Sequence, residues 1–130
     1  MRAAKSFKEV LGLRGRIVLF TPTAAIGLRF EQQAERDHAK VIHTRGWADP
    51  IGPLHAWSRI CACRDYGVLS CDQQRYITGF KLECTDLVWV GETGDPTNQA
   101  WLWARFSQAM NRGMDRENPP RLWMMAEGAT

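Results

Sequence analysis

The 130-residue chain predicts an α/β fold, a three-layer parallel sheet of about five strands with helices on both faces. Three observations carry this. Short, nearly all-apolar runs such as Ile17-Val-Leu-Phe and Leu87-Val-Trp-Val do not alternate with polar residues, so they suit strands buried on both faces. Segments of helical periodicity lie between these runs, and connections of that length imply right-handed crossovers between parallel strands. Proline and glycine stand where the periods change.

Residues 1–13 predict an N-terminal helix, with Ala3, Phe7, Val10 and Leu11 on one face and Gly12 and Gly15 at its end. Arg16-Ile-Val-Leu-Phe is a strand that Thr21-Pro-Thr stops, since proline cannot continue a central ladder but sits well at a helix start. A helix from Thr23 to about Asp37 stacks Ile26, Phe30 and Ala34. Lys40-Val-Ile-His-Thr is the next strand. The loop from Arg45 to Pro53 leads to a helix from about Leu54 to Cys63, and Tyr66-Gly-Val-Leu-Ser is the third strand.

The segment from Cys71 to Phe80 is polar and irregular, and Asp86-Leu-Val-Trp-Val-Gly is the fourth strand. A loop with Gly94, Asp95 and Pro96 precedes a helix to about Arg112, whose buried stripe is Leu102, Phe106, Ala109 and Met110. Arg121-Leu-Trp-Met-Met is the fifth strand, and 126–130 is expected to be a flexible tail. The whole, 1–130, reads as one domain.

Composition excludes some classes. No apolar run nears the roughly 20 residues of a membrane span, and the N-terminus has no apolar signal segment, so no membrane partner is expected and a cytoplasmic location is. A net charge of +3 neither demands nor opposes a nucleic-acid partner. Arg2, Lys5, Lys8, Arg14 and Arg16 make the first residues locally basic, which also fits a solvated helix face. Cys61, Cys63, Cys71 and Cys84 lack zinc-ligand spacing and read as reduced thiols, so no metal site is expected from them.

From about Arg14 to Met125 the chain resembles the C-terminal RecA-like lobe of superfamily-two helicases and translocases, most of all the Swi/Snf type. Ile17-Val-Leu-Phe-Thr-Pro-Thr is similar to that family's motif IV. Leu69-Ser70, Gly79-Phe-Lys-Leu and Thr85-Asp-Leu-Val follow the order of motif V, and Asp95-Pro-Thr-Asn with the helix Arg105 to Gly113 falls where motif VI lies. The resemblance implies that Thr21, Thr23, Ser70 and Thr78, with backbone amides such as that of Gly79, hold the phosphates of DNA or RNA without reading bases. Capping and turn chemistry is the plainer reading of the same hydroxyls.

The departures are equally specific. The chain has no Gly-Lys-Ser/Thr phosphate loop and no carboxylate pair for magnesium. Gln108 and Asn111 stand where the family's arginine fingers align, with Arg112 one position late, and Lys81 replaces an Asn or Asp. An amide cannot supply a finger's charge. The resemblance therefore implies a standalone lobe that is non-catalytic alone, with no cofactor of its own. ATP and Mg enter only if a partner protein carries the first helicase lobe. Arg105, Gln108 and Arg112 share one helix face that could hold phosphate or a partner's carboxylates, or simply be solvated.

Two other functions fit the residues. One is a small interaction or inhibitor protein that kept the lobe fold. The other is a metal-dependent nuclease using Asp72, Asp86, Glu92 and Asp95.

Overall fold

A computed structural model of the chain describes residues 2–46, 51–72, 83–91 and 120–130. Within them the elements are β1 (Arg2–Ala4), α1 (Phe7–Leu11), β2 (Arg16–Thr21), α2 (Ala24–Arg36), β3 (Lys40–His43), α3 (Ile51–Cys63), β4 (Gly67–Asp72), β5 (Asp86–Gly91) and β6 (Arg121–Ala126), followed by a 3-10 turn at Glu127–Ala129. The strands form one sheet in the order β1-β6-β5-β2-β4-β3. Every pairing is parallel.

The all-apolar strands serve two cores at once, because successive side chains leave a strand on opposite faces. Ile17, Leu19, Val88 and Val90 pack with Phe7, Val10 and Phe30 of α1 and α2. Val18, Phe20, Leu87 and Trp89 pack on the other face with Trp57 and Ile60 of α3. The chain passes from β2 across β4 to β3 through α2 and returns to β4 through α3, so right-handed crossovers put the two helices on opposite faces. The expected three-layer α/β fold is present.

One expectation at the N-terminus is corrected. The predicted N-terminal helix begins only at Phe7, and Arg2–Ala4 is instead a strand paired with Trp123–Met125. The reason is a cap: the Ser6 hydroxyl accepts from the Glu9 amide at 3.2 Å, and the Glu9 carboxylate reaches back to the Lys5 amide at 2.7 Å. That arrangement, a variant of the capping box, ends the helix at Ser6 and leaves the preceding residues extended. The sheet thus gains a sixth strand. At the other end Ala129 packs against the core of α1 and α2, and Arg29 donates to the Thr130 hydroxyl at 2.8 Å.

Smaller shifts have local causes. Helix α3 starts at Ile51 rather than Leu54, because Pro53 is tolerated in the first turn of a helix. Helix α2 ends with His38 at φ 66°, while the amides of His38 and Ala39 bond the carbonyls of Glu35 and Ala34, a Schellman closure with histidine in glycine's usual place. The helix expected up to Arg112 lies outside the described residues. No helix among the described residues is long and apolar enough to cross a membrane.

Three of the basic N-terminal side chains have partners within the fold. Arg2 lies over the Trp123 ring, Arg14 over Tyr66 and beside Asp37, and Arg16 donates to the Cys61 carbonyl near the end of α3. Each guanidinium is engaged within the fold.

At the amino ends of the strands Asp86 is fully buried. It accepts from Arg121 Nε and Nη2 at 2.8 and 3.0 Å, from Trp123 Nε1 at 2.9 Å and from the Thr85 hydroxyl at 2.9 Å. This carboxylate is a structural lock between β5 and β6. Asp86→Ala is expected to lower the unfolding free energy by about 3 kcal/mol, the low end for breaking a buried pair because Arg121 remains 40% exposed. Urea titration of wild type and variant measures it, and a loss within experimental error would refute the lock.

Candidate functional site

In an open parallel sheet, polar groups that a ligand can reach gather at the carboxyl ends of the strands. Here β2 closes on Thr21, Pro22 stops it, and Thr23 caps α2, its hydroxyl accepting from the Ile26 amide at 3.3 Å. The register sets Thr21 beside Asp72 and His43 beside Ser70, so the ends of β2, β4 and β3 lie together. Thr21, Pro22, Thr23, Ala24, Thr44, Arg45, Ser70, Cys71 and Asp72 line a cleft of about 50 Å³ there. That volume admits a few waters or one small polar group and is too small for a whole nucleotide.

Three of the residues singled out from the sequence, Thr21, Thr23 and Ser70, therefore meet in one place although the chain separates them widely. Thr78, Gly79, Arg105, Gln108 and Arg112 lie outside the described residues, as do Glu92 and Asp95.

The hydroxyls of the cleft differ in what they do. Thr21 donates to the Cys71 carbonyl at 3.4 Å, and Thr44 donates to the Ser70 carbonyl at 3.5 Å while accepting from the Asp72 amide at 3.4 Å. These bonds tie the strand ends together. The Ser70 hydroxyl is different: the residue is only 4% exposed, and no hydrogen bond joins that hydroxyl to any described residue. A buried hydroxyl without a partner costs about 1–3 kcal/mol, so the position favours an incoming oxygen or nitrogen.

Helix α2 adds a second attraction. With Thr23 occupying the Ile26 and Gly27 amides, the amides of Ala24 and Ala25 have no acceptor among the described residues, and the helix dipole places partial positive charge there. Gly27 lets the helix approach. A Cβ on it would lie 3.2 Å from both the Ser70 and Thr21 hydroxyl oxygens and 3.4 Å from the Glu31 carboxylate.

Sequence reading missed the ion pair behind the cleft. Glu31 is buried, and both its oxygens accept from Arg45, Oε1 from Nη2 at 2.6 Å and Oε2 from Nη1. The bond to Glu31 outweighs burial and raises the Arg45 pKa above its ordinary value. One signal was available: Thr23, Gly27 and Glu31 recur every four residues, so they share a face of α2.

The nuclease constellation loses a member. Asp72 ends β4, whereas Asp86 opens β5, level with Ile17, four residues below Thr21 and its partner Asp72. At strand rise this is about 13 Å, too far to share one metal. No group of three or more metal-binding side chains occurs among the described residues.

The cysteines are free thiols, and only Cys63 is exposed. Burial is the first cause that pushes Cys61 up to about 11 and Cys84 up to about 12, and it raises Cys71 as well. A thiolate is the reactive form, so none of these three is a nucleophile near neutrality.

Searched against protein-family models and against curated proteins, the chain matches neither. What fold and site define is a class: a three-layer α/β protein with a small polar cleft at its strand ends.

Two outcomes follow from the thiols. Near about pH 8, Cys63 should react first with an aromatic disulfide reagent, the buried Cys61 and Cys71 only as the chain unfolds, and Cys63→Ser should remove the fast phase. The raised thiols also link stability to pH. Folded Cys61 holds its proton above the ordinary value of 9.0, so its contribution is complete below pH 9 and is lost as pH rises through about 11. Melting temperature should fall across that window, and Cys61→Ala should flatten the fall.

Proposed function

We propose that this chain is a helicase C-terminal-lobe-like protein, non-catalytic alone, that holds the phosphate backbone of a DNA or RNA strand at the carboxyl ends of β2 and β4. In this reading it acts in the cytoplasm and completes or modulates a partner that carries the first helicase lobe. The observation that carries the proposal is the meeting of Thr21, Thr23 and Ser70 at one cleft beside the start of α2. Hydroxyls and helix amides are the groups that hold phosphates without reading bases.

The same chemistry argues against a motor. Phosphoryl transfer needs a Lys-bearing phosphate loop and magnesium carboxylates, and the sequence has neither. ATP and magnesium belong to the partner's lobe in this scheme. The partner would dock on this one as two lobes close over a shared strand.

The test is fluorescence anisotropy with a labelled single-stranded oligonucleotide and the purified chain. Binding should weaken as salt rises, since each neutralised phosphate releases counterions. Ser70→Ala should weaken it about fivefold, the worth of one hydrogen bond of about 1 kcal/mol. The chain alone should show no ATP turnover. No binding at low salt, together with a stable complex with a helicase-lobe protein, would favour the inhibitor reading instead.

A further inference from the structure

We infer that the cleft selects its phosphate by charge, accepting a singly charged phosphodiester and rejecting a doubly charged phosphate monoester. The inference rests on the cleft being a phosphate site, and it names the class of phosphate.

Two independent features mark the cleft as a place for a polar ligand atom. One is the start of the thirteen-residue helix α2. The other is Ser70, 4% exposed, lining the cleft with a hydroxyl that bonds to no described residue.

Charge accounting then decides what the ligand can be. Arg45 is the one cationic side chain among the described lining residues. Both of its Nη atoms are committed to the buried Glu31 carboxylate. A guanidinium carries five N–H donors, so some remain for a ligand, but its unit charge is matched at contact distance. The Cys71 thiol keeps its proton, and the Asp72 carboxylate brings a negative charge to the lining, so neither adds a cation.

Among the described residues a ligand therefore meets donors without a net cation: the Ser70 hydroxyl, the first amides of α2 and the remaining Arg45 N–H groups. A phosphodiester brings one charge spread over two oxygens, which such donors can hold. A monoester brings a charge of −1.5 to −2 near neutrality. Its second charge meets repulsion from the Glu31 carboxylate behind the lining, to which Asp72 in the lining adds, in a partly water-excluded site where repulsion is screened less than in bulk. Nucleic-acid backbone is thus admitted, and free nucleotides and terminal phosphates are disfavoured.

The experiment uses the full chain with a labelled single-stranded oligonucleotide, displaced by dimethyl phosphate (a diester monoanion) or methyl phosphate (a monoester), at one pH and constant ionic strength. Wild type should be displaced by dimethyl phosphate at about tenfold lower concentration than by methyl phosphate, the scale of one unpaired charge at intermediate dielectric. Glu31→Gln removes the opposing charge and should erase or invert that order.

The wild-type arm needs no variant, so loss of folding in a variant does not spare the inference. Equal competition by the two esters in wild type, or competition by neither in every variant, overturns it. Oligonucleotide binding that is absent, or indifferent to Ser70→Ala, overturns the phosphate-site reading and this inference with it. Binding sensitive to Ser70→Ala but blind to ester charge overturns the selection alone.

Discussion

Strands β2, β4 and β5 are each paired on both sides and buried on both faces, and this double burial governs where polar chemistry can occur. A side chain in the middle of such a strand faces one of two apolar cores, where an unpaired polar group is costly. Polarity is driven to the strand ends. Because all the strands run parallel, the two ends of the sheet collect different residues, and each end acquires its own chemistry.

At the amino ends the polar groups satisfy one another. Asp86 binds Arg121, Trp123 and Thr85, and the Thr85 hydroxyl also accepts from the Arg16 amide at 2.9 Å, joining β2 to the segment that opens β5. Gly15 lies against Thr85 so closely that a Cβ would collide with its hydroxyl. At the carboxyl ends Thr21 and Thr44 close backbone carbonyls, but the Ser70 hydroxyl and the first amides of α2 have no partner among the described residues. A site is most readily built where the fold leaves donors unmatched.

The sequence was legible where burial leaves a pattern. Apolar runs announced β2, β4, β5 and β6, and the hydroxyls that close β2 and cap α2 could be picked out because Pro22 marks the junction. Strand β1 was not legible: three residues, Arg-Ala-Ala, carry no period, and Ala3 falls by chance in helical spacing with Phe7, Val10 and Leu11. The Ser6 and Glu9 pair held the correcting signal. Arg45 and Glu31 escaped for another reason, since no local pattern links a loop residue after β3 to a helix residue fourteen positions earlier. Only the crossover of α2 over the sheet brings them together.

Gly27 shows why the cleft reads as more than packing. Glycine inside a helix costs about 0.5–1 kcal/mol relative to alanine, and nothing in its backbone angles calls for it here. What requires it is space, for the Ser70 and Thr21 hydroxyls and the Glu31 carboxylate all approach the point a Cβ would occupy. An apolar helix-on-sheet contact would fill that point with a methyl group and gain stability. Keeping it open preserves three oxygens around one spot, with Arg45 bound to the carboxylate and the Ser70 hydroxyl unmatched among the described residues. The fold bears the cost of a weaker helix and a buried ion pair at the same place, the end of the sheet where the donors remain.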